Sequence, residues 1–204
     1  MKFLGIFIDD KLSWTQHVNY LCSVISRNVG ILNKLKYFLP SNILYNIYNA
    51  LILSHISYGI LAWGRAYDLL LNRILILQKR SLRIIEHAEH RAHTDPLFYA
   101  RKILKVKDIY SLQLGIFMYQ YNNNELPNSF RSMFTTNKQI YSYNTRQCNK
   151  IHIPYLRTSQ AQKFISYQGP IFWNSLDKKL TNLKSLVLFK KNLKSVLLEG
   201  YSNS

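Results

Sequence analysis

From Thr15 to Tyr121, apolar residues recur three and four positions apart. That spacing commits most of the chain to helices that each bury one face. Thr15 is placed to cap a helix running to about Leu39, where Pro40 stops it. Along it Leu21, Val24, Ile25, Ile31, Leu32 and Leu35 keep helical spacing. Ser41 caps a second helix, with Ile43, Leu44, Ile47, Leu51 and Tyr58 inward and Gly59 and Gly64 framing its end. A third spans about Ala66 to His87, with Leu70, Ile74, Leu77 and Ile84 as its core face. Shorter pieces at Pro96–Leu104 and Lys107–Tyr121 complete a helical half.

The ends read differently. Phe3 to Ile8 is an apolar run containing Gly5, read as a strand, and Asp9-Asp10-Lys11 as a turn. Glycine within a strand marks close backbone approach. Composition shifts at Asn122-Asn123-Asn124 to a polar, aromatic, turn-rich stretch with Pro127 and Pro154. Order is expected to return over Phe164–Leu176 and in an amphipathic helix over Leu183–Leu198. The expected division is therefore a strand and turn over 1–12, a helical domain over 13–121, an irregular basic and aromatic region over 122–163, and a helical segment over 164–204. The fold class is mainly α, with a short N-terminal β element and an irregular basic C-terminal half.

Charge narrows the partners. Lysine and arginine total 27 against 10 acids, a formal net charge of +17. No acid lies between Asp10 and Asp68, or between Glu125 and Asp177. An A/T-rich coding sequence would raise the lysine count but would not by itself empty such windows of acids. The pattern favours a polyanion, nucleic acid before membrane. Arg73, Arg80 and Arg83 share a face of the third helix, with Lys79 beside them. Farther on, Tyr141, Tyr143, Arg146, Lys150, His152, Tyr155 and Arg157 interleave rings with charge, an arrangement able to stack bases and meet phosphates. The bland reading of those rings is core.

Other chemistries find little support. Asp9-Asp10 would need a third carboxylate to form a two-metal site, and neighbours on a strand point to opposite faces; they read as turn acids. Glu86, His87, Glu89, His90 and His93 end the third helix, where protonated histidine suits the helix dipole better than the spacing suits zinc. Cys22 and Cys148 have neither disulfide-framework nor zinc spacing, which fits a reducing compartment. No nucleophile elbow or glycine-rich phosphate loop is present. The run Met1–Ile8 is too short for a signal peptide. Ser41–Trp63, broken by Asn42, Asn46, Asn49 and His55, reads as a core helix rather than a membrane span. The expected location is intracellular, cytoplasm or nucleus.

Several phrases, in order, resemble one family. FLGIFIDDKLSWTQHV (Phe3–Val18), LSHISYGILAWG (Leu53–Gly64), LQKRSLRII (Leu77–Ile85), HTDPLF (His93–Phe98), NTRQ (Asn144–Gln147), GPIFWNSL (Gly169–Leu176) and the closing SLVLFKKNLKSVLL are together similar to the segment after the catalytic palm in non-LTR, jockey-like retrotransposon reverse transcriptases. The resemblance implies that Phe3, Leu4 and Gly5 belong to a primer grip and the helical half to a thumb that tracks template–primer. The charge pattern puts the expected nucleic-acid contacts at Arg73, Lys79, Arg80, Arg83, Arg146, Lys150 and Arg157. Within that family the aromatic-x-Asp-Asp polymerase signature lies upstream of FLG, and this chain does not contain it. The chain is accordingly expected to be a truncated piece with no catalytic residue and no cofactor of its own, Mg²⁺ belonging to the intact polymerase. Its partners would be RNA or DNA template–primer and the missing palm and fingers. The strand at its start, lacking a palm, would be an unpaired apolar edge. The alternative reading is a host-coded helical nucleic-acid-binding or interaction protein.

Overall fold

The computed structural model describes residues 1–141 and 146–201. It is mainly α, with one two-stranded antiparallel sheet. The chain divides into two compact units, Met1–Tyr110 with Leu197–Ser204, and Ser111–Val196. No helix among the described residues is long and apolar enough to cross a membrane.

The first unit opens with β1 (Lys2–Phe3) and β2 (Ile6–Phe7), paired Lys2 to Phe7 and Phe3 to Ile6. The single strand expected over Phe3–Ile8 thus folds back on itself. Leu4 (φ 44°) and Gly5 (φ 82°) form the two-residue turn, both in the left-handed region that such hairpins require. Gly5 therefore supplies a turn conformation. Nor is the edge bare: the Tyr58 hydroxyl donates to the Leu4 carbonyl at 2.6 Å, and Ile6 packs so closely on Gly59 that a Cβ there would overlap it. The hairpin finds its support inside the unit, which corrects the expectation of an unpartnered strand.

Asp9, not Thr15, closes the start of the first helix. Its carboxylate accepts the N–H groups of Ser13 (3.0 Å) and Trp14 (3.1 Å), and Trp14 enters helix α1 (Thr15–Leu35) in the left-handed conformation. Hydrogen bonding from Ser13 foremost holds the Asp9 carboxyl below its ordinary value. Val18, Leu21, Ile25, Val29 and Leu32 are buried along one stripe of α1, as the sequence period demands.

The second helix is not continuous. α2 (Ser41–Tyr48) passes into a π-helical turn over Asn49–Leu53, then α3 (Ser54–Ser57). The Leu51 carbonyl receives the Asn28 side-chain amide of α1 at 2.6 Å. Tyr58, with extended ψ, and Gly59 (φ 58°) then break the chain before α4 (Ile60–Trp63). That break swings Tyr58, expected inward, to 55% exposure, where its hydroxyl serves the hairpin. Ile43, also expected inward, is exposed, and Ile47 is half-buried.

Helix α5 (Asp68–Ile85) packs along α1 and buries Leu70, Ile74 and Ile84 as expected, while Leu77 is only half-buried. It also buries Gln78 completely. The Gln78 amide donates to the Tyr48 hydroxyl (3.1 Å) and the Leu104 carbonyl (3.3 Å), and its oxygen accepts Val106 N–H (2.9 Å). One side chain thereby ties α5, α2 and the start of α7 (Val106–Asn122). The intervening α6 (Asp95–Ala100) is fastened by the ion pairs Arg101–Glu86 and Lys105–Asp95 (2.7 Å). Tyr201 closes the unit. Its hydroxyl donates to Asp108 and accepts Lys105 N–H, and the Lys105 ammonium lies 4.3 Å from its ring centre.

The second unit is built on the later turns of α7. Tyr119 stacks on Phe189 of α11 (Leu186–Glu199) at 4.7 Å, and Trp173 of α9 (Ile165–Ser175) lies 5.9 Å from the same ring. Gly115 admits Leu193 and Phe172, and Gly169 admits the Met118 sulfur, where a Cβ would clash. α8 (Asn137–Ile140) and α10 (Lys178–Thr181) are single turns. Over 122–163 the described residues form only short helical turns and are tied by hydrogen bonds. Thr136 bridges to Ile151, Asn137 N–H donates to the Lys150 carbonyl (3.0 Å), and the Asn174 amide grips both the N–H (3.2 Å) and carbonyl (2.7 Å) of Ile151.

Candidate nucleic-acid interface

Helical spacing sets the charges of α5. Arg73 and Arg80, seven residues and about 10 Å apart along the axis, fall on one face. Arg73 meets Asn19 near the start of α1 (2.6 Å), while Arg80 shares a cleft with Asn33, Lys36 and Tyr37 near its end. The two helices therefore run in the same sense, with arginine along their seam. The cleft encloses about 610 Å³, and Arg83, His87 and His90 complete its lining. Among the described residues no carboxylate lines it. Lys79, one residue and so 100° round the helix from Arg80, lies off this line and is half-buried.

The two cleft arginines differ. Arg80 is exposed and has no hydrogen-bond or ion-pair partner among the described residues. Arg83 is half-buried and its Nε donates to the Ala92 carbonyl at 3.0 Å, pinning the loop after α5. That loop starts with His87 in the left-handed conformation (φ 51°) and Ala88 N–H returning to the Arg83 carbonyl (2.9 Å), a Schellman-type ending without glycine.

A second cleft, of about 700 Å³, lies within the second unit. It gathers Tyr141, Arg146, Lys150 and His152, with Asn137 and Asn174. Arg146 and Lys150 are thus brought together, whereas exposed Arg157 and Tyr155 fall outside the lining. The Asn137 and Asn174 amides are occupied by backbone and by His152. Tyr143, and Asn144 of the NTRQ phrase, lie outside the described residues.

Phe3, Leu4 and Gly5 sit at the tip of the N-terminal hairpin, with Phe3 and Leu4 exposed. Around it the motif residues of separate phrases converge. Trp63 donates its indole N–H to the Tyr58 carbonyl (3.0 Å) and meets His17 edge-on at 5.6 Å. His17 is 2% exposed; Phe7 N–H reaches its Nδ1 at 3.5 Å and its Nε2 has no partner. Burial drives its pKa down to about 4, so the ring is neutral at neutral pH.

The acids are not arranged for a metal. Asp9 spends both carboxylate oxygens on backbone N–H groups. Glu86 is taken by Arg101. Among the described residues no group of three or more His, Cys, Asp or Glu side chains is placed to hold a metal ion.

Compared with known proteins, the chain is 31% identical over 133 residues to the RNA-directed DNA polymerase from mobile element jockey of Drosophila melanogaster. The match covers 63% of this chain and 14% of that polymerase. This likeness supports a reverse-transcriptase-related segment. No family model matches the chain, and no solved structure does. The chain thus spans a small part of the jockey polymerase, whose whole activity does not transfer with it.

Sequence reasoning missed Lys36, Tyr37, Asn33 and Asn174. The first two belong to the run Lys34-Leu35-Lys36-Tyr37-Phe38, which interleaves charge and ring as plainly as the 141–157 stretch does. Asn174 carries no such signal, because a lone asparagine within a helix reads as a solvated residue.

Proposed function

We propose that this chain is the primer-grip and thumb segment of a mobile-element RNA-directed DNA polymerase. In this reading it holds template–primer nucleic acid and contributes no catalytic carboxylate. The α1/α5 cleft carries the reading: among the described residues it is a line of cations with no acid in its lining, and Arg80 has no partner of its own. Phosphate is the group such a line attracts, and phosphate contacts position a duplex without reading its sequence. The 31% identity to the jockey polymerase supplies the second support. Arg73 extends the contact along the seam. Arg146 and Lys150, in the second unit, form a separate cationic patch for the same kind of ligand. Palm and fingers are the protein partners this reading requires.

Titrating binding against salt tests it. Replacing Arg80 by Ala should weaken binding to unrelated sequences equally and reduce the salt slope by about one, the loss of one phosphate contact. Arg83→Ala should behave differently, lowering the thermal midpoint because the tether to Ala92 is lost. An unchanged salt slope and affinity in the Arg80 variant would sink the assignment.

A further inference from the structure

The turn that ends α1 displays two aromatic rings that its own core does not use. Tyr37 is 75% exposed and Phe38 82%. The backbone beneath them is nevertheless ordered, with N–H bonds from Lys36 to Leu32 and from Phe38 and Leu39 to Leu35, each of 3.0 Å. Large apolar side chains held in water forgo the burial that usually stabilises them, and two adjacent rings left exposed on an ordered turn are available to a ligand. Their setting names its chemistry. Tyr37 lines the α1/α5 cleft, the Lys36 ammonium sits 5.0 Å from its ring centre, and Arg80 and Arg83 share that cleft. A continuous duplex presents phosphates and groove edges and hides its base faces in the stack. An exposed ring in a cationic cleft, with a second exposed ring next to it in the chain, suits the opposite case, an unpaired base whose face is free.

We propose that Tyr37 and Phe38 form a base-stacking wedge at the mouth of the cleft, so that the favoured ligand is unpaired nucleic acid: a single strand or the unpaired end of a duplex. The rings stack the unpaired base while Lys36 and Arg80 meet the flanking phosphates. This deepens the nucleic-acid reading of the cleft and rests on it.

Fluorescence anisotropy on the full chain separates the two. The probes are a labelled homothymidine single strand, a blunt duplex, and the same duplex with a thymidine overhang. The single strand and the overhang should bind more tightly than the blunt duplex. Tyr37→Ala and Phe38→Ala should each weaken them on the order of tenfold, well beyond any loss for the blunt duplex, with the salt slope unchanged and Tyr37→Phe close to the parent. If both alanine variants kept the single-strand affinity, or weakened all three probes alike, the wedge would be wrong. If Arg80→Ala left every probe unaffected, the cleft reading would fall first and the wedge with it.

Discussion

Acidification from about pH 7 to pH 4 should cost the first unit about 3 kcal/mol through His17 alone. Buried against Trp63, this ring has its pKa pushed down to about 4, below the 6.5 it has when unfolded. Between those two values the unfolded chain binds the proton and the folded one does not, so stability is complete above about 6.5 and falls as pH drops towards 4. The sign follows from burial: the charged imidazolium has no partner at Nε2 and would sit among apolar neighbours. His17→Phe keeps the ring and removes the titration. Its variant should lose some stability at all pH values, because Phe7 N–H loses its acceptor, yet show a much shallower decline below pH 6.5. Urea melts of parent and variant across that range measure the difference directly. Parallel curves would mean that the ring protonates in place.

Gln78→Ala should be strongly damaging, destabilising the first unit by about 3–5 kcal/mol. It opens a void in a fully buried position and strands three polar groups at once: the Tyr48 hydroxyl, the Leu104 carbonyl and Val106 N–H. Gln78→Leu fills the void but still leaves those groups unpaired, so it should recover only part of the loss. Arg80→Ala, two residues on but exposed and without a partner among the described residues, should stay within about 0.5 kcal/mol of the parent. That contrast separates what α5 does for the fold from what its charges are proposed to do for a ligand. A Gln78→Ala melt close to the parent curve would contradict the role of Gln78 as the tie between α2, α5 and α7.

The contrast also marks where sequence reading succeeds. Helices α1 and α5 are legible because each buries a stripe at its own period, and Pro40 and the Asn122 run punctuate the chain; α7 has buried residues on every face. Gln78, His17 and Asn174 are not legible, because polarity predicts solvent exposure and only the folded chain shows their buried partners. The hairpin is misread for a related reason. Six apolar residues suggest one strand, while the turn at Leu4-Gly5 depends on two positive φ values, one of them at a leucine. At Arg83 the charge is visible in the sequence but its bond to Ala92 is not, so its structural duty emerges only from the loop geometry. The cleft is half legible. The arginines of α5 announce themselves by spacing, whereas Lys36 and Tyr37 join them from a helix some forty residues earlier, through the side-by-side packing of α1 and α5.

Photochemical crosslinking tests the central claim most directly. With a halogenated-uracil single strand or overhang duplex bound to the full chain, peptide mapping should place adducts on the segment carrying Lys36, Tyr37 and Phe38 and on the α5 peptide around Arg80. Added salt should suppress both together. Adducts scattered over the surface, or absent from these two segments while strong elsewhere, would show that the α1/α5 cleft is not where nucleic acid lies.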